Sequence, residues 1–300
     1  MTTPATNRQA KVQSTSGDSD NRRLPMRRKS VRYRATTVIV SLVVVIWTLV
    51  SLFPIVFTVT SSFKLKRDVI DPTSFIFDPT LTNYVQLFTE RYFGGYLWNS
   101  ALVTVGSVVP SLVLALMAAY GLTRFGLRKE RSVALTILSF RMIPAIAVVI
   151  PYFLIAQFLK LFDTQLILII AYMTMNIPLA VWMLRGFMRD IPIEIDEAGQ
   201  IDGASRWKIL WSIHVRLLGP GIVSTGLLMV IQSWNEFAFA QFLTSVQART
   251  FPTTVGFFIS IAGTDFGQMA AAATVGTIPI LVLAIIFQKR LVSALSYGAV

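Results

Sequence analysis

Residues 197–204 read Glu197-Ala198-Gly199-Gln200-Ile201-Asp202-Gly203-Ala204, a polar interruption between two long apolar runs. Carboxylates come first (Glu194, Asp196, Glu197, Asp202) and the cations Arg206 and Lys208 follow. Asp202-Gly203 is a turn signal, because Asp can cap a helix and Gly can take positive φ without a steric cost. The spacing predicts a short helix, a sharp turn, and a second short helix carrying Ala204, Trp207, Leu210 and Trp211. A structured elbow of this kind, set between membrane-length runs, is suited to docking a second protein; the plainer alternative is an amphipathic loop lying on the membrane.

The runs on either side decide the class. Of 300 residues, 54% are hydrophobic and 14% charged, against about 45–50% and about 25% for soluble domains. Six apolar runs, at about 36–60, 98–122, 133–159, 166–186, 220–243 and 271–291, each approach the ~20 residues that cross a bilayer as a helix. Hydrocarbon cannot satisfy free backbone groups, so helices are expected throughout. The expected fold is an all-α membrane protein with six transmembrane helices over 35–300, preceded by a disordered basic tail at 1–34 and carrying a polar loop at about 190–216 between spans 4 and 5. The tail cannot bury enough apolar surface to order itself. Its arginine cluster suits anionic lipid heads.

The net charge of +12 does not imply nucleic acid, since cationic loops mark the cytoplasmic side of a membrane protein. Twenty Lys and Arg fall in the N-terminal tail, the 123–132 loop, the 190–216 region with its flanks, and the C-terminal end; the alternate side holds six (Lys64, Lys66, Arg67, Arg91, Lys160, Arg249). That bias puts both termini and the elbow in the cytoplasm. There is no Cys and one His, so disulfides and thiolate metal sites are out of reach. His214 alone builds no metal cluster and reads as a surface or packing residue.

The third and fifth spans carry candidate functional polar groups. Arg141 sits in the third, ahead of Pro144 and Pro151, which lie on one face and would kink the helix. Either Arg141 faces a cavity or partner, or it snorkels back to the inner interface. The fifth holds Gln232, Asn235, Glu236 and Gln241. These side chains line a translocation pathway, or join helices by hydrogen bonds, or, for Glu236, lie at the outer interface. No Gly-x-x-x-x-Gly-Lys-Ser/Thr occurs, so the chain lacks the backbone cradle for nucleotide phosphates. His-Glu-x-x-His and Gly-x-Ser-x-Gly are also missing, and energy for transport would have to arrive through another protein.

The elbow resembles the loop of permease subunits of binding-protein-dependent ATP-binding-cassette importers, whose pattern is Glu-Ala-Ala-x-x-Asp-Gly-Ala, eight residues, then Ile-x-Leu-Pro. Glu197, Ala198, Asp202, Gly203, Ala204 and Ile213 are in register; Gly199, Val215 and Arg216 depart where Ala, Leu and Pro stand in the pattern. Leu81-Thr82-Asn83-Tyr84, Asn99-Ser100, Ala118-Ala119-Tyr120-Gly121 and Trp234-Asn235-Glu236 resemble further signatures of carbohydrate-type members, close in pattern to the smaller permease of maltose-type systems. The resemblance implies a type I importer permease fold with a coupling helix. It implies a complex with a second homologous permease, two ATPase subunits that bind ATP and Mg, and an extracytoplasmic solute-binding protein, with no cofactor in this chain. It also implies that Glu197 is the anionic anchor, that Asp202 and Gly203 shape the turn, and that Ala198, Gly199 and Ala204 lie in the docked loop. A secondary transporter driven by H⁺ or Na⁺ is the competing reading; it needs intramembrane carboxylates, and Glu236 is the one candidate within the spans.

Overall fold

The computed structural model describes residues 31–70, 77–260 and 263–297. Residues 1–30, most of the tail expected at 1–34, lie outside them, and the first helix, α1 (Val31–Ser62), already begins at Val31. The chain divides into two units at Phe53 and Pro54, inside α1. In the first unit, residues 38–53 are exposed on every face although they are almost all Val, Ile, Leu, Phe or Trp. A helix apolar all round is at home in lipid. Its Thr48 hydroxyl donates back to the Val44 carbonyl at 2.8 Å, so that polar group is satisfied without water.

The second unit continues with α2 (Lys66–Ile70), α3 (Thr82–Thr89), α4 (Phe93–Arg124), α5 (Glu130–Ser139), α6 (Ala145–Phe158) and α7 (Gln165–Arg189). The elbow follows as α8 (Glu194–Ile201) and α9 (Arg206–Ile209), which runs through a π-turn (Leu210–His214) into α10 (Val215–Leu217). Then come α11 (Gly219–Trp234), α12 (Ala238–Leu243), a 3₁₀ segment (Phe251–Phe258), a two-residue antiparallel ladder of β1 (Ile259–Ser260) with β2 (Gly263–Thr264), and α13 (Phe266–Tyr297). Among the described residues, four helices are long and apolar enough to cross a membrane, and up to six spans result if each of two bent helix pairs counts as one.

The centre of this unit is the α4–α7 seam. On α4 the seam residues Ser107, Ser111, Ala115 and Ala119 repeat every four positions, and α7 answers with Ala171 and Ala180, all buried. Small residues suit a membrane interior, where lipid offers no hydrophobic drive and close backbone approach supplies the attraction. A Cβ on Gly106 would fall 2.8 Å from Cδ1 of Ile169, which measures how near the helices come. At the far end of α11, the Trp234 indole N–H donates to the Gly276 carbonyl of α13 at 2.9 Å.

Two expected spans differ in form. The run at 133–159 is not a continuous helix kinked at its prolines: it is α5, a 3₁₀ turn (Phe140–Met142) and α6, bent by 84°. Pro144 denies helical geometry to the residue before it, and Ile143 is extended at φ −72°, ψ 120°. Pro151 lies inside α6, past the break. The run at 220–243 ends as a helix at Trp234 and restarts at Ala238. There the Glu236 carboxylate accepts the N–H groups of Phe239 (3.0 Å) and Ala240 (3.3 Å), capping α12 as Asp and Asn cap other helices. Gln232 and Gln241 therefore stand on different helices.

Several signature residues turn out to be clasps. Asn83 donates to the Ser62 and Lys64 carbonyls (2.9 and 2.8 Å) and the Tyr84 hydroxyl pairs with Ser62 at 2.6 Å, satisfying the carbonyl end of α1. Asn99 donates to the Gln247 and Arg249 carbonyls, and the Ser100 hydroxyl accepts the Phe251 N–H.

Candidate functional site

The elbow is built by short-range chemistry. Three acids in the first turn of α8 complement its N-terminal dipole. Gly203, at φ +77°, makes the reversal, and the Ser205 hydroxyl caps α9 by accepting the Lys208 N–H at 3.3 Å. Glu197, Ala198, Asp202 and Gly203 are exposed, Ala204 is half-buried, and Gly199 is buried. Gly199 faces the second helix: a Cβ there would lie 3.1 Å from Cγ1 of Ile209 and 3.5 Å from Cδ1 of Ile213. The departure from Ala at this position thus accompanies two isoleucines that pack onto the glycine.

Two apolar side chains stand out of the same elbow. Ile201 is 86% exposed and Trp207 59%. Glu197, Asp202 and Lys208 on the same elbow are exposed as well.

On the opposite side of α8 the structure reveals a cluster that the sequence pattern did not expose. Asp196 is 3% exposed. Its carboxylate lies 3.0 Å from the Arg124 guanidinium, 3.0 Å from Nε2 of His214 through each oxygen, and accepts the Tyr120 hydroxyl at 3.1 Å. Arg124 also donates to the Met188 and Ile191 carbonyls at 3.2 and 2.7 Å, closing the end of α7. The Tyr120 ring meets the His214 ring edge-to-face at 5.3 Å. His214 is fully buried. It is an internal partner of Asp196, rather than a surface residue. Removing one member of a buried charged pair costs roughly 3–5 kcal/mol, because the other is left uncompensated. The signal available beforehand was weak: Tyr120 and Arg124 are one helical turn apart, and the lone His stands at the elbow's far end.

The polar residues of the bundle gather near the two helix breaks. Arg141, half-buried in the 3₁₀ turn, donates to the Met175 carbonyl of α7 at 3.0 Å. Gln232 and Glu236 line a cavity of about 20 Å³ together with Tyr172, Met175, Asn176 and Ser233; Asn176 donates to the Ser233 hydroxyl at 2.8 Å. That volume holds about one water. Asn235 is exposed and its amide donates back to the Ile231 carbonyl, so it does not join the cavity. Sequence reasoning named Gln232 and Glu236 and missed Tyr172 and Asn176, which read as ordinary helix residues. Among the described residues, no group of three or more His, Cys, Asp or Glu side chains is arranged to hold a metal.

Comparison with known proteins agrees with this architecture. The chain is 35% identical over 263 residues to a probable ABC transporter permease, y4oR, of Sinorhizobium fredii, a match covering 85% of this chain and 95% of the relative. It is 31% identical over 259 residues to the trehalose/maltose transport system permease MalG of Thermococcus litoralis, covering 85% and 93%. Its fold matches a chain of the crystal structure of a bacterial ABC transporter that imports the acidic polysaccharide alginate, with a TM-score of 0.73 at 22% identity over 87% of this chain and 98% of the other. Residues 95–297 match the family described as binding-protein-dependent transport system inner membrane component. The fold is that of a type I importer permease, multi-pass in the inner membrane, and the chain belongs to the family of binding-protein-dependent transport system inner membrane components.

Proposed function

We propose that this chain is one permease subunit of an ATP-driven sugar importer, and that the 190–216 elbow is its coupling helix, seated in a cytoplasmic ATPase. The observation that carries the reading is the two-sided elbow: Glu197, Ala198, Ile201 and Trp207 are presented outward while Asp196 is locked inward. Glu197 offers a charge to a cation on the ATPase, Ile201 and Trp207 offer apolar anchors, and Ala198 and Ala204 let the partner come close. Asp202 and Gly203 set the turn, and Gly199 packs the two short helices together. The excess of Lys and Arg on the elbow's side supports a cytoplasmic elbow and cytoplasmic termini.

In this reading the chain itself hydrolyses nothing: ATP and Mg belong to a pair of ATPase subunits, a second related permease completes the pathway, and an extracytoplasmic binding protein delivers the solute. Names of relatives, among them trehalose/maltose and sulfoquinovosyl glycerol transport permeases, support a sugar or sugar-like solute. ATP-driven closure of the ATPases moves the docked elbows, and rigid-body rotation of the helices opens the pathway alternately to each side. Arg141, Gln232 and Glu236, with Tyr172 and Asn176, form the polar surface next to the breaks; Asn235 lies beside it. Glu236 is already engaged as a helix cap, which speaks against its carrying a coupling ion.

The test is uptake of labelled sugar into vesicles reconstituted with this chain, its partner permease, ATPase and binding protein. Uptake should require ATP, and Glu197→Lys should lower it about tenfold or more while the chain still inserts. Uptake driven by an ion gradient without nucleotide would overturn the reading.

A further inference from the structure

We propose that Asp196 is a positioning residue that joins the elbow rigidly to the transmembrane helices, so that force delivered to α8 passes into α4, α7 and α11 together. The proposal rests on the elbow being the ATPase docking site. Asp196 is the one side chain that α8 buries; its other buried position, Gly199, packs on Ile209 and Ile213 within the elbow itself. The carboxylate therefore supplies α8's own hold on the bundle. It reaches α4 through Tyr120 and Arg124, at 3.1 and 3.0 Å. Arg124 extends the link to the last turn of α7 through the Met188 carbonyl and to the segment just after it through the Ile191 carbonyl. His214 extends it to the π-turn, which leads through α10 into α11.

The chemistry suits a rigid joint better than a hinge. A carboxylate that hydrogen-bonds Tyr120 and His214 and is ion-paired with Arg124 at 3.0 Å, out of water, holds a fixed geometry, whereas an exposed pair would exchange with solvent. The π-turn matters here as well: such turns occur where a helix departs from its regular register, often at functional positions, and this one ends on His214, the residue that meets the carboxylate. The ring's Nε2–H donates to Asp196. A second attachment, Arg206 stacked over the Phe125 ring at 4.5 Å, belongs to α9 and leaves α8 dependent on Asp196.

The experiment measures solute transported per ATP hydrolysed in the complete reconstituted importer, together with capture of the ATPase by the permease. Variants are Asp196→Asn, Tyr120→Phe, His214→Leu and His214→Gln. Asp196→Asn and His214→Leu should lower transport per ATP about tenfold, and Tyr120→Phe about threefold, while ATPase capture stays as in the wild type. His214→Gln, which keeps a donor at the Nε2 position, should recover most of the loss. Tyr120→Phe preserves shape and decides the matter should Asp196→Asn not accumulate. Hydrolysis and transport falling in equal proportion, or an unchanged ratio in every variant, would overturn the proposal. Failure of the wild-type chain to capture the ATPase would instead overturn the docking reading on which it rests.

Discussion

Asp196 and Glu197 are neighbours in the chain, yet α8 turns one into the protein and the other out of it: Asp196 is 3% exposed and bound to Arg124, while Glu197 faces outward beside Ile201. Exposed charges contribute about 0.2–1 kcal/mol to an association, whereas burying a large aliphatic side chain contributes about 1.5–3 kcal/mol. Ile201→Asp should therefore weaken capture of the ATPase about tenfold or more, and Glu197→Gln only a few-fold. A pull-down titration of ATPase against the two variants checks the ranking.

Asp163 holds the opposite end of the bundle. It adopts φ +59°, and its carboxylate accepts the N–H groups of Ser245, Val246, Gln247 and Ala248 at 2.9–3.1 Å. Burial alone would raise its pKa, but the four backbone donors hold it below the ordinary aspartate value. A lowered folded-state pKa stabilises above the unfolded value, near 4, and the contribution is lost as pH falls through the folded value. Asp163→Asn should cost about 1–2 kcal/mol at pH 7. The difference in melting temperature between variant and wild type should shrink as pH drops below about 4.

Gly276 marks the contact of α13 with the 3₁₀ segment. A Cβ there would lie 2.3 Å from Cε2 of Phe251, and the Gly276 carbonyl is the acceptor for Trp234. Gly276→Ala should destabilise the protein by about 1–3 kcal/mol, as overpacked cores do. Thermal melting in detergent reads the loss, and Phe251→Leu in the same chain should return part of it.

Gly199 should behave differently. An added methyl meets the Ile209 side chain at 3.1–3.2 Å and Cδ1 of Ile213 at an ordinary 3.5 Å, with no backbone atom in the way, and Ala gains about 1 kcal/mol of helix propensity over Gly. Gly199→Ala should keep uptake and stability near wild-type levels, whereas Gly199→Leu should abolish uptake by prying α8 from α9. Uptake assays on the two variants separate them.

Membrane class, helix content and the helix–turn–helix form of the elbow were legible in the sequence because each rests on local chemistry: runs of apolar residues and an Asp-Gly turn. The breaks at Pro144 and Glu236 were half legible. The residues that cause them stand out, but whether Pro kinks or breaks a helix depends on whether the residue before it leaves helical geometry, as Ile143 does. The Asp196 cluster was not legible, since it unites positions 120, 124, 196 and 214, brought together by tertiary packing. A periodic pattern records which face of one helix is apolar; it does not record which carboxylate of four will be turned inward.

The docked elbow is tested most directly by crosslinking. The chain contains no Cys, so Ala198→Cys, at an exposed position of α8, places its sole thiol on the elbow. In membranes carrying the full importer, a short thiol-directed crosslinker should join this cysteine to the ATPase subunit, with a yield that changes when nucleotide is added. An importer that transports solute while this cysteine reacts only with water-soluble reagents, and never with the ATPase, would contradict docking at the elbow.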